Sequence, residues 1–286
     1  MSMNKNIKVS YKKSYTSKML TWLTWGAAML TMAVLVFIIG FVLLKGIPHL
    51  SPELFAPHYT SENVSLLPAL VNTLFMTLLA LLIAAPIGIF AAVFLVEYTD
   101  HEGKLVGLIR LTAETLSGIP SIVYGLFGML FFSTALGWGY SMLAGAFTMA
   151  IMILPLIMRT SEEALISVPR SYREASFGLG AGKLRTIFKV VLPAAIPGIL
   201  SGVILAVGRV AGETAALIFT AGTVAKYAGF MDSGRTLAVH MYVLSNEGLH
   251  MDQAYATAVI LLIFVFAMNE LSEFAARKIS KGHENE

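Results

Sequence analysis

An arginine and a glutamate, Arg209 and Glu213, stand four residues apart in the otherwise apolar stretch VGRVAGETAALIF. On a continuous helix that spacing puts both on one face. A guanidinium is a planar fork of donors suited to oxyanions such as phosphate, and a neighbouring carboxylate could orient it. The competing reading is a structural ion pair that locks a helix bundle. A single carboxylate does not occupy all five guanidinium donors, so Arg209 needs a further partner or a wet path. Little else in the chain offers chemistry. His240, His250 and Asp252 lack metal-site spacing, and no metal is assigned. Nucleotide-binding, serine-hydrolase and zinc-protease patterns are missing, so an enzyme is not expected.

The elements that hold these charges must sit in lipid. The chain of 286 residues is 57% hydrophobic and 13% charged, with a mean hydropathy of +0.76. Soluble domains carry roughly 25% charge. Zero cysteines exclude disulfides. Uncharged runs cover 19–44, 63–96 and 115–158. The last is long enough for two spans with a turn at Leu136 to Ser141, since a span takes about 20 residues. Further spans are expected near 195–220 and 252–272. The predicted fold is all-α, a polytopic membrane protein with six transmembrane helices, approximately 20–44, 66–96, 116–136, 140–158, 195–220 and 252–272. Residues 1–18 form a tail and 19–286 one membrane domain. Pro86 is expected to interrupt the second span. Ser117, Gly118, Pro120 and Ser121 could kink the start of the third. Gly198, Gly202, Gly208 and Gly212 allow close packing along the fifth. Arg209 lies about 21 Å beyond the start of that span, where an unpaired arginine is costly.

Basic residues set the orientation. Of 20 lysines and arginines, only Lys45, Lys226 and Arg235 fall on the side opposite the tails, with Arg209 in between. Both termini are therefore expected in the cytoplasm of a bacterial cell membrane. The basic pI of about 9.0 then needs no nucleic acid. Asn72, Thr73 and Thr77 could face a pathway or bond to backbone. Residues 221–253 read as an outer insertion with a short helix near Thr236 to Leu244.

The 159–194 loop carries the most specific signal. Ser171 and Glu174 form a capping-box spacing that suggests a helix start. Gly180 and Gly182 would end that helix. Leu184, Ile187, Phe188, Val191 and Leu192 then make one apolar face. Glu174, Ala175 and Ser176, then Gly180, then Val190, Leu192 and Pro193, match the EAA loop of ABC-importer permeases in spacing. Ser176 stands for an alanine of the motif and Val190 for an isoleucine. The segments Gly208 to Gly222 and Leu116 to Gly128 resemble the A-type permease subunits of phosphate-specific (Pst) importers.

The resemblance implies an ABC type I importer bundle that carries inorganic phosphate. It implies a second homologous permease, two ATP-binding subunits and an extracytoplasmic phosphate-binding protein as partners. ATP and Mg would bind those subunits, and no cofactor this chain. It places Arg209, with Glu213 and Arg159, on the substrate path. Arg159 reads equally as a basic anchor at the cytoplasmic end of its span. The resemblance places Glu174, Ala175, Gly180, Leu192 and Pro193 in the loop that docks on the ATPase. Sulfate or molybdate would suit the same loop. A secondary transporter or channel would leave the loop without a role.

Overall fold

The computed structural model describes residues 15–99 and 103–284. Expected features in the first 14 residues, including Lys5, Lys8, Lys12 and Lys13, lie outside them. The described residues form helices and turns without strands. Five helices are long and apolar enough to cross a membrane. They are α1 (Tyr15–Gly46), α2 (Leu67–Val93), α5 (Met142–Ser167), α8 (Leu192–Ala211, prolonged backwards to Lys183) and α11 (Met251–Glu284). A sixth span arises if α3 (Lys104–Ser117) and α4 (Ser121–Gly128, continued as a π-helix to Ala135) are taken together, although they meet at 98°.

The shorter elements follow from local signals. Gly118 and Pro120 separate α3 from α4, because proline cannot continue a helix and disfavours helical geometry in the residue before it. Residues 116–117 therefore belong to α3, and α4 with its π-helical extension to Ala135 holds the rest of the expected third span. Gly137 and Gly139 take positive φ in the following turn. There Ser141 caps α5 by accepting the Ala144 N–H at 3.2 Å. Pro86 does not break α2, which runs through it. The loop end of the bundle carries α6 (Arg170–Gly178) and α7 (Lys183–Thr186, continued as a π-helix to Val191). The opposite end carries α10 (Leu237–Glu247), which stops at Gly248 in the left-handed region.

The core runs between α2, α5 and α8, with α4, α9 (Ala215–Thr220) and α10 closing it. Small residues set its spacing. A Cβ on Gly88 would meet Ile157, one on Gly145 would meet the Met76 side chain, and one on Gly128 would overlap Thr148 and Thr220. Gly198 and Gly202 lie against Ala164 and Thr160 of α5, so that pair does serve packing. Gly208 has only loose neighbours, and Gly212 ends its helix. The outer surface of α1 is exposed along its whole apolar length.

Candidate functional site

The fifth span is two helices. α8 ends at Ala211, and α9 begins at Ala215. Gly212 closes α8 by donating its N–H to the Gly208 carbonyl at 3.2 Å. Glu213 leaves the helix and its Oε1 accepts the Ala216 N–H at 3.1 Å. The expected Arg209–Glu213 pair on one helix face is therefore corrected: no ion pair joins them among the described residues. The physical reason is the helix break, which takes Glu213 off the face that carries Arg209. Arg209 sits in the last turn of α8, where a cation is favoured, and Glu213 at the start of α9, where an anion is favoured. Each charge complements a helix end, and the two ends meet within the span.

Arg209 is exposed on this chain, on a stripe with Ser201, Leu205 and Gly212. Glu213 is half-buried. The second broken element lies alongside. A Cβ on Gly125 of α4 would come within 2.8 Å of the Ala216 Cα. Tyr124 donates its hydroxyl to the Leu116 carbonyl at 2.7 Å, tying α4 to the end of α3. The α3–α4 elbow and the α8–α9 break thus lie side by side.

Arg159 lies elsewhere. Its neighbour Thr160 packs at Gly202, about 10 Å along α8 from Arg209 at 1.5 Å per residue. Arg159 Nε is 3.5 Å from Glu163, with both side chains largely exposed. They line a cavity of about 320 Å³ with Arg110, Glu114, Ser117 and Glu162. Arg110 holds the buried Glu162 through Nε at 2.7 Å and Nη2 at 2.5 Å. The sequence reading missed this pair. Its signal was faint: an arginine after span 2 and a glutamate just past span 4, 52 residues apart.

In the 159–194 loop, α6 begins one residue before Ser171, behind Pro169, and no side-chain cap forms. The capping box between Ser171 and Glu174 is therefore corrected. Proline suits a helix start without one. Gly180 does end the turn, at φ +80°, while Gly182 precedes α7 rather than closing α6. Ser176 and Thr186 hydroxyls meet at 2.8 Å across the turn. Glu174, Ala175 and Gly180 are exposed, and Leu179 is 89% exposed. Ile187 and Val191 turn inward, whereas Leu184 and Phe188 stay exposed, so the expected apolar face is split. Leu192 and Pro193 are half-buried at the start of α8.

At the opposite end, Asn72 donates to the Lys226 and Arg235 carbonyls at 2.8 and 3.1 Å and accepts the Ala228 N–H at 3.0 Å. Thr73 accepts the Leu237 N–H at 2.7 Å. These polar residues of α2 bond to backbone and hold the 222–247 segment on the bundle. His240 is buried there, with Tyr59 edge-on to it, and the Arg235 guanidinium lies over the Tyr59 ring, 4.5 Å from its centre.

The family of binding-protein-dependent transport system inner membrane components matches residues 84–282. The chain belongs to that family. This permease is 32% identical to the probable ABC transporter permease protein YqgI of Bacillus subtilis, over 94% of this chain and 98% of the relative. It is 31% identical to the phosphate transport system permease protein PstA of Haemophilus influenzae, over 94% and 96%. Its fold matches a bacterial alginate ABC transporter in complex with a periplasmic protein, with a TM-score of 0.68 at 14% identity over 94% and 99% of the chains. The inward-facing methionine transporter MetNI matches at a TM-score of 0.58 and 20% identity, over 75% and 94%. This permease is thus an ABC importer subunit with several apolar membrane helices.

Proposed function

We propose that this permease carries inorganic phosphate inward across the cell membrane. The carrying observation is Arg209, exposed on a broken span rather than neutralised inside the chain. A guanidinium on a membrane helix must be covered by a partner or face water. A similar second permease packed on the stripe of Ser201, Leu205, Arg209 and Gly212 would enclose it in a shared cavity. The relatives named as phosphate permeases support phosphate as the anion. Arg209 offers a counter-charge weak enough for the ion to leave. Glu213, holding the α9 terminus, keeps that terminus from trapping the ion. Arg159 stands on the cytoplasmic approach.

The loop end faces the cytoplasm, as do both termini, and rests on two ATP-binding subunits. Glu174, Ala175 and Gly180 form the docked surface, and Leu192 and Pro193 pass its movement into α8. A phosphate-binding protein delivers the ion from outside. ATP binding closes the ATPase pair and turns the spans outward, and hydrolysis resets them. ATP and Mg stay with those partner subunits.

The test is uptake by the complete transporter in proteoliposomes containing ATP, with phosphate, sulfate and molybdate compared. Phosphate should be taken up selectively and only with ATP. Arg209→Gln should cut phosphate uptake at least tenfold at unchanged abundance of the complex. Equal uptake of sulfate would reassign the anion. Uptake without ATP would point to a secondary carrier. Normal uptake by the variant would remove Arg209 from the path.

A further inference from the structure

Among the described residues, the loop helices join α5 and α8 through the chain and α2 through side chains. Arg173, on α6, makes four hydrogen bonds. Its Nε and Nη2 donate to Glu97 Oε1 at 3.0 and 2.7 Å. Its Nη1 donates to the Val168 carbonyl at 2.9 Å, and Nη2 also reaches the Leu165 carbonyl at 3.1 Å. Leu165 belongs to the last turn of α5, and Val168 is its C-cap. The last carbonyls of a helix lack the usual partner four residues on; the Leu165 carbonyl also accepts the Val168 N–H at 3.4 Å. Glu97 lies in the π-helical turn Phe94–Tyr98 that ends the second span. One guanidinium therefore fastens the coupling helix to two spans at once.

Two further observations set this pair apart from a surface ion pair. The Arg173 and Glu97 side chains are only 17% and 10% exposed, so solvent screens them little. The next residue, Tyr98, lies under the Lys183 ammonium of α7, 4.7 Å from its ring centre. Both loop helices thus rest on the same end of α2. The adjoining cavity, lined by Glu97, Arg170, Arg173 and Glu174, opens beside the joint.

We infer that Arg173 and Glu97 form the joint through which the coupling loop moves the second span together with the fourth and fifth. Arg173 is a positioning residue that never touches substrate. It holds α6 so that force applied at Glu174 reaches α2 as well as the covalently linked spans. A fork of three nitrogens fits this task where a lysine does not, because two carbonyls and a carboxylate must be engaged in fixed directions. The inference rests on the proposed docking of the loop on an ATPase.

The experiment uses the complete transporter in proteoliposomes with its binding protein. It reads phosphate taken up per ATP hydrolysed, alongside the melting temperature of the complex. Arg173→Met should lower that ratio about tenfold. Arg173→Lys should rescue it only in part. Glu97→Gln, which keeps an acceptor, should give a smaller loss, and it carries the test if Arg173→Met does not accumulate. The double variant should be no worse than Arg173→Met, as expected of two ends of one joint. A lower melting temperature with an unchanged ratio would overturn the inference, as would losses that multiply in the double variant. Glu174→Lys separates the two readings. If it uncouples transport while Arg173→Met does not, docking stands and the joint falls. If Glu174→Lys leaves coupling intact, the docking reading itself falls.

Discussion

At the scale of single residues, His240 shows how burial sets chemistry. Its pKa is lowered to about 3, first by burial and then by the Arg235 charge, with the Val64 backbone opposing both. The ring is neutral in the fold. An unfolded chain takes up a proton there below about pH 6.5, while the folded form does so only near pH 3. Stability present above the unfolded value is therefore lost as the pH falls. The loss should reach about 1.4 kcal/mol at pH 5.5. Melting of the purified protein in detergent between pH 8 and pH 5 should show this decline, and His240→Phe should flatten it. A slope unchanged by that substitution would assign the effect to another group. The central charges teach the same lesson about context. Arg209 and Glu213 read as a pair only if the helix between them continues. The sequence held a stop signal in Gly212 and a start signal in Glu213 and Thr214, but the apolar run on both sides outweighed them.

At the scale of elements, legibility followed range. The apolar spans stood out because charge is excluded from them. The turn at Gly137 and Gly139 and the elbow at Gly118 and Pro120 stood out because backbone geometry restricts residue choice there. The EAA spacing located the loop, and Gly180 its turn. What stayed hidden were contacts between distant segments. Arg173 and Glu97 are 76 residues apart, and no local pattern links them. Asn72 and Thr73 were visible as polar residues in a span, but their partners lie more than 150 residues away. Their arrangement makes α2 the anchor of the segment between α9 and α10. Asn72→Leu should remove three hydrogen bonds and speed amide exchange at Ala228 by at least tenfold, leaving amides in the middle of α5 protected. Hydrogen–deuterium exchange with mass spectrometry would read both. Equal protection of the segment in variant and parent would show that packing alone holds it.

At the scale of the whole molecule, two exposed surfaces stand out. The α8 stripe carries Arg209 and Leu205, both exposed, and α1 is bare on its apolar surface. Lipid can cover α1 but not a guanidinium at low cost. Co-expression with the proposed second permease should therefore raise the amount of folded protein several-fold over expression alone, measured by fluorescence-detected size-exclusion chromatography. Equal yields would mean that the Arg209 face is satisfied without a second chain.

The crossing at Gly128 has a mechanical consequence. Backbone of the third span lies directly on the Thr148 and Thr220 side chains, with no side chain of its own to act as a spacer. Gly125 repeats the arrangement one turn away against Ala216. Surfaces meshed this tightly cannot glide past each other without first separating. The inner spans should therefore tilt as one solid piece during a transport cycle, a rocker rather than a sliding bearing, with the flexing left to the elbows at its rim.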